Sequence, residues 1–285
     1  MTFVTRFAPS PTGLLHRGHA FSILTVSAAM QEAAKTEGAR FLLRIEDTDF
    51  TRCRPEYEAA IIEDLVWLGI DWEQPLRRQS EHRADYDAAL ERLRDMGVLY
   101  RCFRTRKELM ALAGVAPHSD DPNDPHAFSY GPMATDEEAE RLARGEAFAW
   151  RLSLDAARDR LGDLSALTWV EERVRPGVHH ATPERLGDMV VGRKDIGAGY
   201  IIAAVIDDAL QGVTHVIRGE DLIEVTSVQR VLQALLDLPT PVYRHHPLLL
   251  GPDGKRYAKR DKSVALAELR ASGITAEALK AEIGF

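Results

Sequence analysis

The sequence has few cysteines, no long apolar run and no excess of positive charge. Its two cysteines, Cys53 and Cys102, cannot build a disulfide framework, which fits a reducing compartment. The longest apolar stretches, such as residues 200–206, are far shorter than the roughly 20 residues that a membrane span requires. The first residues also lack the charged region followed by an apolar one that begins a signal peptide. We therefore expect a cytoplasmic protein that does not span a membrane.

The charge balance limits the kinds of partner that the chain can bind. The formal net charge is -8, from 36 Lys and Arg against 44 Asp and Glu. This argues against a general nucleic-acid coat protein, because sequence-independent affinity comes from many Lys and Arg contacts to phosphate. Any nucleic-acid partner must then be met by a local basic patch. With 285 residues, 45% of them apolar, the chain is expected to hold one main domain with an insertion or an appended piece.

The N-terminal pattern predicts a βαβ unit. Residues 2–7 are typical of a short strand and residues 9–13 of a proline-rich turn. A helix is predicted at residues 19–37 and a second strand at residues 40–45. This order indicates a parallel sheet whose ligand lies beyond the strand ends.

The rest of the chain indicates a nucleotide-binding fold that is split by an insertion. Apolar residues at three- and four-residue spacing predict helices at residues 55–65 and 83–96, while residues 114–134 have the composition of a loop. Further strands are expected at residues 147–153, 166–174 and 213–218, the last followed by a helix that ends near Leu238. The middle of the chain, from about residue 100 to residue 186, is then the expected insertion.

The first chemical signature is HRGH at residues 16–19, where a turn leads into a helix. Such a junction points backbone N–H groups and the positive helix end at an anion, and a triphosphate is the natural occupant. His16 and His19 can donate to phosphate oxygens, while Gly18 lets a flat adenine approach the backbone. Taken alone, the tetrapeptide also fits incidental histidines, a metal-binding pair or a small-molecule nucleotidyltransferase.

The second signature is GPDGKRYAKRD at residues 251–261. It combines a Pro/Gly turn with a basic cluster, so on its own it predicts an exposed hairpin tip. Its distance from HRGH supports a functional role for this segment more strongly than the pattern itself does.

Two strings carry a family resemblance. RFAPSPTG at residues 6–13, followed by HRGH, resembles the opening of class I glutamyl-tRNA synthetases, and residues 256–260 resemble the lysine loop of the same enzymes. The resemblance implies an α/β class I synthetase-like Rossmann fold with a parallel sheet, an inserted α+β subdomain, a short helical C-terminal extension and no anticodon-binding domain. The implied division is a first Rossmann half (1–100), the insertion (101–186), a second Rossmann half (187–240) and the lysine loop with a helical segment (241–285).

The resemblance also implies roles for individual residues near ATP. Catalysis is expected from His16, His19 and Lys259, and Lys259 would offset charge on the leaving pyrophosphate. The expected ATP-binding residues are Pro9, His16, Gly18, His19, Arg256, Lys259 and Arg260. Arg17 replaces an apolar residue of the family and is expected to face away from the nucleotide. In the second motif Arg256 replaces the usual Lys and Ala258 the usual Ser.

A further string, RIEDTD at residues 44–49, ends the second predicted strand with three carboxylates. By default these are solvated turn residues or helix caps. The same hexapeptide occurs in glutamyl-tRNA synthetases, where the residue matching Glu46 serves the α-amino group of the amino acid.

The expected amino-acid site needs cations as well. Residues 200–221 resemble the segment that carries the family's substrate Tyr and Arg, which match Tyr200 and Arg218. The implied site comprises Arg6, Ser10, Glu46, Tyr200 and Arg218. Two arginines suit a dicarboxylic amino acid, because a guanidinium group binds a carboxylate with two parallel hydrogen bonds. Without the resemblance, Arg218 would be expected in a surface ion pair with Glu220 or Asp221.

The C-terminal segment bears on the acceptor. The chain continues for 25 residues beyond Arg260, whereas a full glutamyl-tRNA synthetase carries a large helical anticodon-binding region there. The shorter architecture resembles the glutamyl-queuosine tRNA(Asp) synthetase family. It implies L-glutamate, ATP with Mg²⁺ and queuosine-containing tRNA(Asp) as substrates. Charging of a tRNA 3′ end and a non-catalytic paralogue are the alternatives.

A zinc site is not expected in the insertion. Family members often hold zinc through Cys-x-Cys followed by Tyr and Cys, but here Arg104 stands at the second cysteine and no cysteine follows Tyr130. A structural zinc ion needs four N or S ligands, and Cys102 alone remains. His118 and His126 lie in a Pro/Asp loop and are not expected to replace the lost ligands. The pairs His179-His180 and His245-His246 are expected at the surface or in strand packing.

Overall fold

The structure is a computed structural model that describes residues 2–105, 108, 131–193, 197–251 and 264–285. The first elements are β1 (Phe3–Phe7), α1 (Arg17–Ala33), β2 (Ala39–Ile45), α2 (Pro55–Trp67), β3 (Glu73–Arg78), α3 (Arg83–Asp95) and β4 (Leu99–Cys102). Next come α4 (Thr135–Ala143), β5 (Ala149–Leu152), α5 (Leu154–Leu161), β6 (Thr168–Glu171), β7 (Gly177–His180), β8 (Val190–Arg193) and β9 (Gly197–Ala198). The last are α6 (Tyr200–Leu210), β10 (His215–Gly219), α7 (Val225–Leu235), β11 (Val242–His246), α8 (Leu266–Ala271) and α9 (Ala276–Glu282).

The predicted βαβ unit is confirmed, since β1 pairs with β2 in parallel across α1. β3 extends this sheet in parallel. A second sheet has β11 parallel to both β10 and β6, with β7 antiparallel at its edge. Thr214 joins the two sheets, because its N–H donates to the Val4 carbonyl at 2.9 Å just before β10 begins. The strands β2 and β3 therefore follow β1 on one side, and β10 and β11 lie on its other side. Ligands of open α/β sheets bind at such a point, where the strand order reverses.

Both faces of the parallel strands are buried, as the near-continuous apolar runs require. Phe3 and Leu43 face one apolar cluster together with Ile23 of α1. Val4 and Leu42, their chain neighbours, face another cluster with Tyr243 of β11. This alternation follows from the two-residue period of a strand. A further core packs α3, α6 and α7 against the small antiparallel sheet β4-β5-β8-β9.

The middle of the chain contributes to two of the three sheets. β6 and β7 lie within the segment predicted as an insertion, yet β6 pairs with β11. β4, β5, β8 and β9 form the separate antiparallel sheet. The division at residues 100, 186 and 240 stays a prediction. Within the described ranges, no helix is long and apolar enough to cross a membrane.

Candidate active site

A cavity of about 360 Å³ lies beyond the carboxyl end of β2. Three residues predicted for the amino-acid site, Ser10, Glu46 and Tyr200, line it together with Gln79 and Arg193. Its volume falls in the range of small-molecule sites, about 300–1,000 Å³. The fold thus brings together the turn after β1, the segment after β2 and the start of α6.

A buried ionic network centred on Asp208 of α6 lies next to this cavity. Its Oδ1 accepts hydrogen bonds from Arg6 Nε at 3.0 Å and from Arg44 Nη1 at 2.7 Å. Arg44 is fully buried, and its Nη2 lies 3.4 Å from Oε1 of Glu46. One carboxylate therefore fixes Arg6 directly and, through Arg44, the carboxyl group that lines the cavity.

The two carboxyl groups of this network have opposite pKa shifts. Burial opposes the ionisation of Asp208, but the guanidinium groups of Arg6 and Arg44 hold its pKa below the usual range. Burial raises the pKa of Glu46 to about 7, against the pull of Arg44 and Arg6. Arg44 lies closer to Asp208, at 2.7 Å, than to Glu46, at 3.4 Å. Asp208 therefore stays ionised, while Glu46 titrates near neutral pH.

The neighbouring carboxylate, Asp207, faces away from the cavity. Successive residues of a helix point about 100° apart, and Asp207 accordingly accepts from Arg77 Nε at 2.7 Å, Gln79 Nε2 at 2.9 Å and the Tyr86 hydroxyl at 2.9 Å. Its partners lie at the end of β3, in the following turn and on α3. Asp207 thus ties the helix to β3 and α3, and its Oδ2 also lies 3.7 Å from Arg44 Nε. Asp208 is the acid that holds Arg6.

Arg218 is buried at the end of β10, with 6% of the residue exposed. Its Nε donates to His245 Nε2 at 3.2 Å and its Nη2 to Thr226 Oγ1 at 2.8 Å. The guanidinium carbon lies 5.4 Å from the centre of the Tyr243 ring. In the described part of the chain, no carboxylate pairs with it, so the surface ion pair expected from sequence without the resemblance is not formed. A buried cation that is held in place without an anion suits an anionic ligand.

His245 orients Arg218 from behind. Its Nδ1 lies 2.6 Å from Oε2 of Glu171, and both residues are fully or almost fully buried. Burial and the charge of Arg218 lower the pKa of His245 well below its usual value, so the ring is neutral. Nδ1–H then donates to Glu171, and Nε2 accepts from Arg218. The expectation that His245 packs within a strand is confirmed.

Tyr200 contributes a hydroxyl group to the lining of the cavity. Although 37% of the residue is exposed, desolvation and the nearby charge of Glu46 raise the pKa of its hydroxyl. The exposed area belongs to the residue as a whole, whereas the desolvation acts at the hydroxyl end. The charges of Arg218 and Arg6 act on the pKa of this hydroxyl as well. Glu46 and Tyr200 line the cavity, whereas the two arginines are buried and are not among its lining residues.

The HRGH signature forms the start of α1. His16 caps the helix, and its Nδ1 accepts the N–H of Gly18 at 3.1 Å. His19 Nδ1 accepts the N–H of His16 at 3.1 Å, and the two ring centres are 3.9 Å apart. In the neutral form each ring therefore carries its proton on Nε2. Both rings can donate that proton to an anion at the positive end of the helix.

The structure also describes the other residues of this region that the resemblance singled out. Pro9 is buried, and its carbonyl accepts the N–H of Glu46 at 3.0 Å. Arg17 turns to the C-terminal helix α9, where its Nε donates to Glu282 at 2.7 Å, as expected for a side chain that faces away from the nucleotide. Gly18 lies in the first turn of α1.

Residues 252–261 of the second signature lie outside the described residues, and with them the predicted Arg256, Lys259 and Arg260. The chain that follows it is described. Ala265 forms a bridge with His16, and the N–H of Leu266 donates to the carbonyl of Leu15 at 2.8 Å. The segment after the second signature therefore meets the start of the first.

The described residues of the insertion do not fit a zinc site. Cys102 is buried in β4, its Sγ lies 3.9 Å from the carbonyl oxygen of Arg104, and Arg104 brings no ligand atom. No group of three His, Cys, Asp or Glu side chains suited to a metal occurs among the described residues. Tyr130, His118 and His126 lie outside them, so the expected absence of zinc stays a prediction.

Sequence reasoning missed the residues that hold the site in place. These are Arg44, Glu171, Asp208 and His245, each of which has a partner 27 to 202 residues away in the chain. Only the RIEDTD string drew attention to Arg44, and the consecutive acids in residues 207–208 were the available signal for Asp208.

The fold and its paired imidazoles at a helix start define a catalytic domain of the class I synthetase type. The family described as "tRNA synthetases class I (E and Q), catalytic domain" matches residues 2–284. The chain belongs to this family, and it is a ligase of the class I aminoacyl-tRNA synthetase type.

Individual relatives show which members of the family this chain is similar to. The chain is 42% identical over 288 residues to a glutamyl-Q tRNA(Asp) synthetase of Rhodobacter capsulatus, covering 99% of both chains. It is 40% identical to the protein of that name from Symbiobacterium thermophilum, covering 98% of this chain and 85% of the relative. The crystal structure of a glutamate-tRNA synthetase from Elizabethkingia anophelis is similar with a TM-score of 0.72 at 28% identity. That match covers 92% of this chain and 53% of the other, so the chain spans about half the length of that synthetase.

Proposed function

We propose that the chain activates L-glutamate with ATP, without needing tRNA for this step, and transfers the glutamyl group to queuosine in the anticodon of tRNA(Asp). The observation that carries the proposal is the buried Arg218, which lacks an anionic partner among the described residues, beside a cavity lined by Glu46. The relatives from Rhodobacter capsulatus and Symbiobacterium thermophilum support the choice of acceptor through their names. The reaction would take place in the cytoplasm.

The charges of the cavity suit glutamate in one orientation. Arg218 and Arg6 would bind the side-chain carboxylate, since both are buried guanidinium groups in fixed positions. Glu46 and the Tyr200 hydroxyl would bind the α-ammonium group. An uncharged side chain such as that of glutamine would leave Arg218 buried without an anion, which costs free energy. The same geometry thus provides affinity and selects for a dicarboxylic amino acid.

Activation would proceed by in-line attack. An oxygen of the α-carboxylate attacks the α-phosphorus of ATP, and the bond from that phosphorus to the bridging oxygen of the β-phosphate breaks. His16 and His19 would donate from Nε2 to phosphate oxygens, and Lys259 would neutralise the departing pyrophosphate. Mg²⁺ would accompany ATP as part of the substrate. In the second step a queuosine hydroxyl attacks the adenylate carbonyl, and AMP leaves.

Pyrophosphate exchange tests the first step. Folded protein with glutamate, Mg-ATP and labelled pyrophosphate, but without tRNA, is expected to form labelled ATP. Aspartate and glutamine in place of glutamate are the controls and should give little exchange. No exchange with glutamate would refute the synthetase activity.

Transfer to RNA tests the acceptor. Labelled glutamate is expected to become attached to tRNA(Asp) that contains queuosine and to an anticodon stem-loop carrying the same nucleoside. The matched control is the same tRNA with guanosine in place of queuosine. Equal charging of both tRNAs would refute the acceptor and favour attachment at the 3′ end.

The pKa of Glu46 predicts a pH dependence for glutamate binding. Only the ionised carboxylate attracts an ammonium group, so the KM for glutamate should fall as the pH rises through about 7 and then level off. Arg218 does not contribute to this step, because burial keeps its partner His245 neutral. The measurement is the KM in pyrophosphate exchange on both sides of pH 7. Glu46→Gln should raise the KM and remove the step; an equally flat profile in the unmodified protein would contradict the assignment.

A further inference from the structure

The mouth of the cavity carries an exposed ring surrounded by arginines. Phe50 follows the RIEDTD segment and is 57% exposed. Arg52 and Arg54 are exposed next to it in the chain, and Arg83 at the start of α3 has its guanidinium carbon 5.8 Å from the centre of the ring. These four residues form what we call the Phe50 patch. Arg52 also lines the cavity, so the patch and the cavity are continuous.

The charge of the patch contrasts with that of the whole protein, which carries 44 acidic against 36 basic residues. Three of the nearby acids already pair with cations outside the patch. Asp49 binds Arg193 at 3.0 Å, and Glu81 and Asp85 on the neighbouring segment pair with Arg78 and Arg77. Asp47 accepts from the neutral N–H of Ser80 at 2.8 Å and keeps its charge. Among these four acids, Asp47 alone therefore opposes the three arginines of the patch.

Two arginines of the patch lie next to no acidic partner. Among the described residues, Arg52 has no carboxylate within ion-pair distance, and Arg54 donates to the backbone carbonyls of Cys53 and Phe50 at 2.9 and 3.5 Å. Their guanidinium groups remain available to an anion that approaches from solvent. This is the local basic surface that an acidic protein needs in order to bind nucleic acid.

The combination of ring and cations indicates single-stranded RNA. A nucleobase stacks on an exposed aromatic ring, and arginines contact the adjoining phosphates. A protein partner fits less well, because the apolar part of the patch is a single ring, whereas protein interfaces bury a larger apolar centre.

We propose that the Phe50 patch binds the single-stranded RNA segment that carries the acceptor nucleoside, with Phe50 stacked on a base and the arginines on phosphates. This inference rests on the proposed function. It adds that the RNA enters the cavity over the segment between β2 and α2. The stack would hold a neighbouring base while the acceptor nucleoside reaches the adenylate.

The test separates RNA binding from glutamate activation. Phe50→Ala should raise the KM for queuosine-containing tRNA(Asp) by about 5- to 150-fold, as expected for the loss of one stacked base, and leave tRNA-free pyrophosphate exchange unchanged. Phe50→Trp should keep the RNA affinity of the unmodified protein, because an indole ring also stacks on a base. Arg54→Gln should lower the dependence of RNA affinity on salt concentration by about one phosphate contact.

Lys35→Glu is the matched control, because Lys35 is an exposed cation beyond the opposite end of α1. It should change neither readout. Normal exchange together with unchanged RNA affinity in the Phe50→Ala and Arg54→Gln variants would overturn the patch while the proposed function stands, and it would favour a protein contact for the ring. Absence of exchange in the unmodified protein would instead defeat the proposed function.

Discussion

Asp208→Asn should reduce glutamate activation by about a hundredfold or more, because a misplacement of about 1 Å in a reacting group has an effect of that size. The carboxylate accepts from Arg6 at 3.0 Å and from Arg44 at 2.7 Å. Both bonds end on Oδ1, which asparagine can keep, but its NH₂ group would face Arg6 Nη2, which lies 3.5 Å from Oδ2 and can only donate. The negative charge that Arg6 and Arg44 share would also be lost. Arg6 would then shift from its position beside the cavity, and Arg44 would be held less firmly against Glu46.

The same substitution should reduce stability. Breaking a buried ion pair from one side costs about 3–5 kcal/mol, because it leaves an uncompensated charge. The pKa of Asp208 is held below its usual range by the two arginines, so its contribution is complete at neutral pH. That contribution is lost as the pH falls below the unfolded value of about 3.9 toward the folded pKa. Urea unfolding at neutral pH and at low pH measures both effects.

Tyr86→Phe is the control for Asp208→Asn. The Tyr86 hydroxyl donates to Asp207 at 2.9 Å in the same helix region, and the residue is fully buried. Its loss should cost stability, by about 1–3 kcal/mol for an unsatisfied buried group, with little change in pyrophosphate exchange. An Asp208→Asn protein that exchanges as fast as the unmodified protein would contradict the role given to Asp208.

The N-terminal βαβ unit could be predicted because the sequence patterns that specify its strands, turn and helix are local. The apolar run of β1, the proline-rich turn and the helix of small residues lie within 45 residues, and each sets its own conformation. The helix α6 was not predicted. It is buried on almost every side, from Ile201 to Asp208, and a helix that is apolar all round lacks the periodicity that reveals a helix.

The candidate site was predictable only in part for a related reason. Family motifs singled out Glu46, Tyr200 and Arg218; in the structure Glu46 and Tyr200 line one cavity, and the charge of Arg218 acts on the Tyr200 hydroxyl. The groups that orient them interact over long sequence separations, such as the 202 residues between Arg6 and Asp208. No local pattern can reveal such a pair, because the contact depends on how α6 packs against β1 and β2.

Arg218→Ala should weaken the use of glutamate more than any other single change in the amino-acid site. Arg218 has no carboxylate partner within the described ranges, so the substrate would supply its only anion. Truncating one side of a buried, hydrogen-bonded charge pair costs about 2–5 kcal/mol, roughly 30- to 5,000-fold in kcat/KM for glutamate. Arg218→Lys should recover only part of this loss, because an ammonium group cannot bind His245, Thr226 and a carboxylate with one planar fork.

Arg230→Ala gives a matched control for this prediction. Arg230 lies on α7, is half-buried and donates to the backbone carbonyl of Thr168 at 3.0 Å, so the substitution removes a similar side chain away from the cavity. Pyrophosphate exchange at varied glutamate concentration should then separate the two variants, with a raised KM or no activity for Arg218→Ala and an unchanged KM for Arg230→Ala. If Arg218→Ala keeps the KM of the unmodified protein, the side-chain carboxylate binds elsewhere. Arg6, which Asp208 holds beside the same cavity, would then be its main cation.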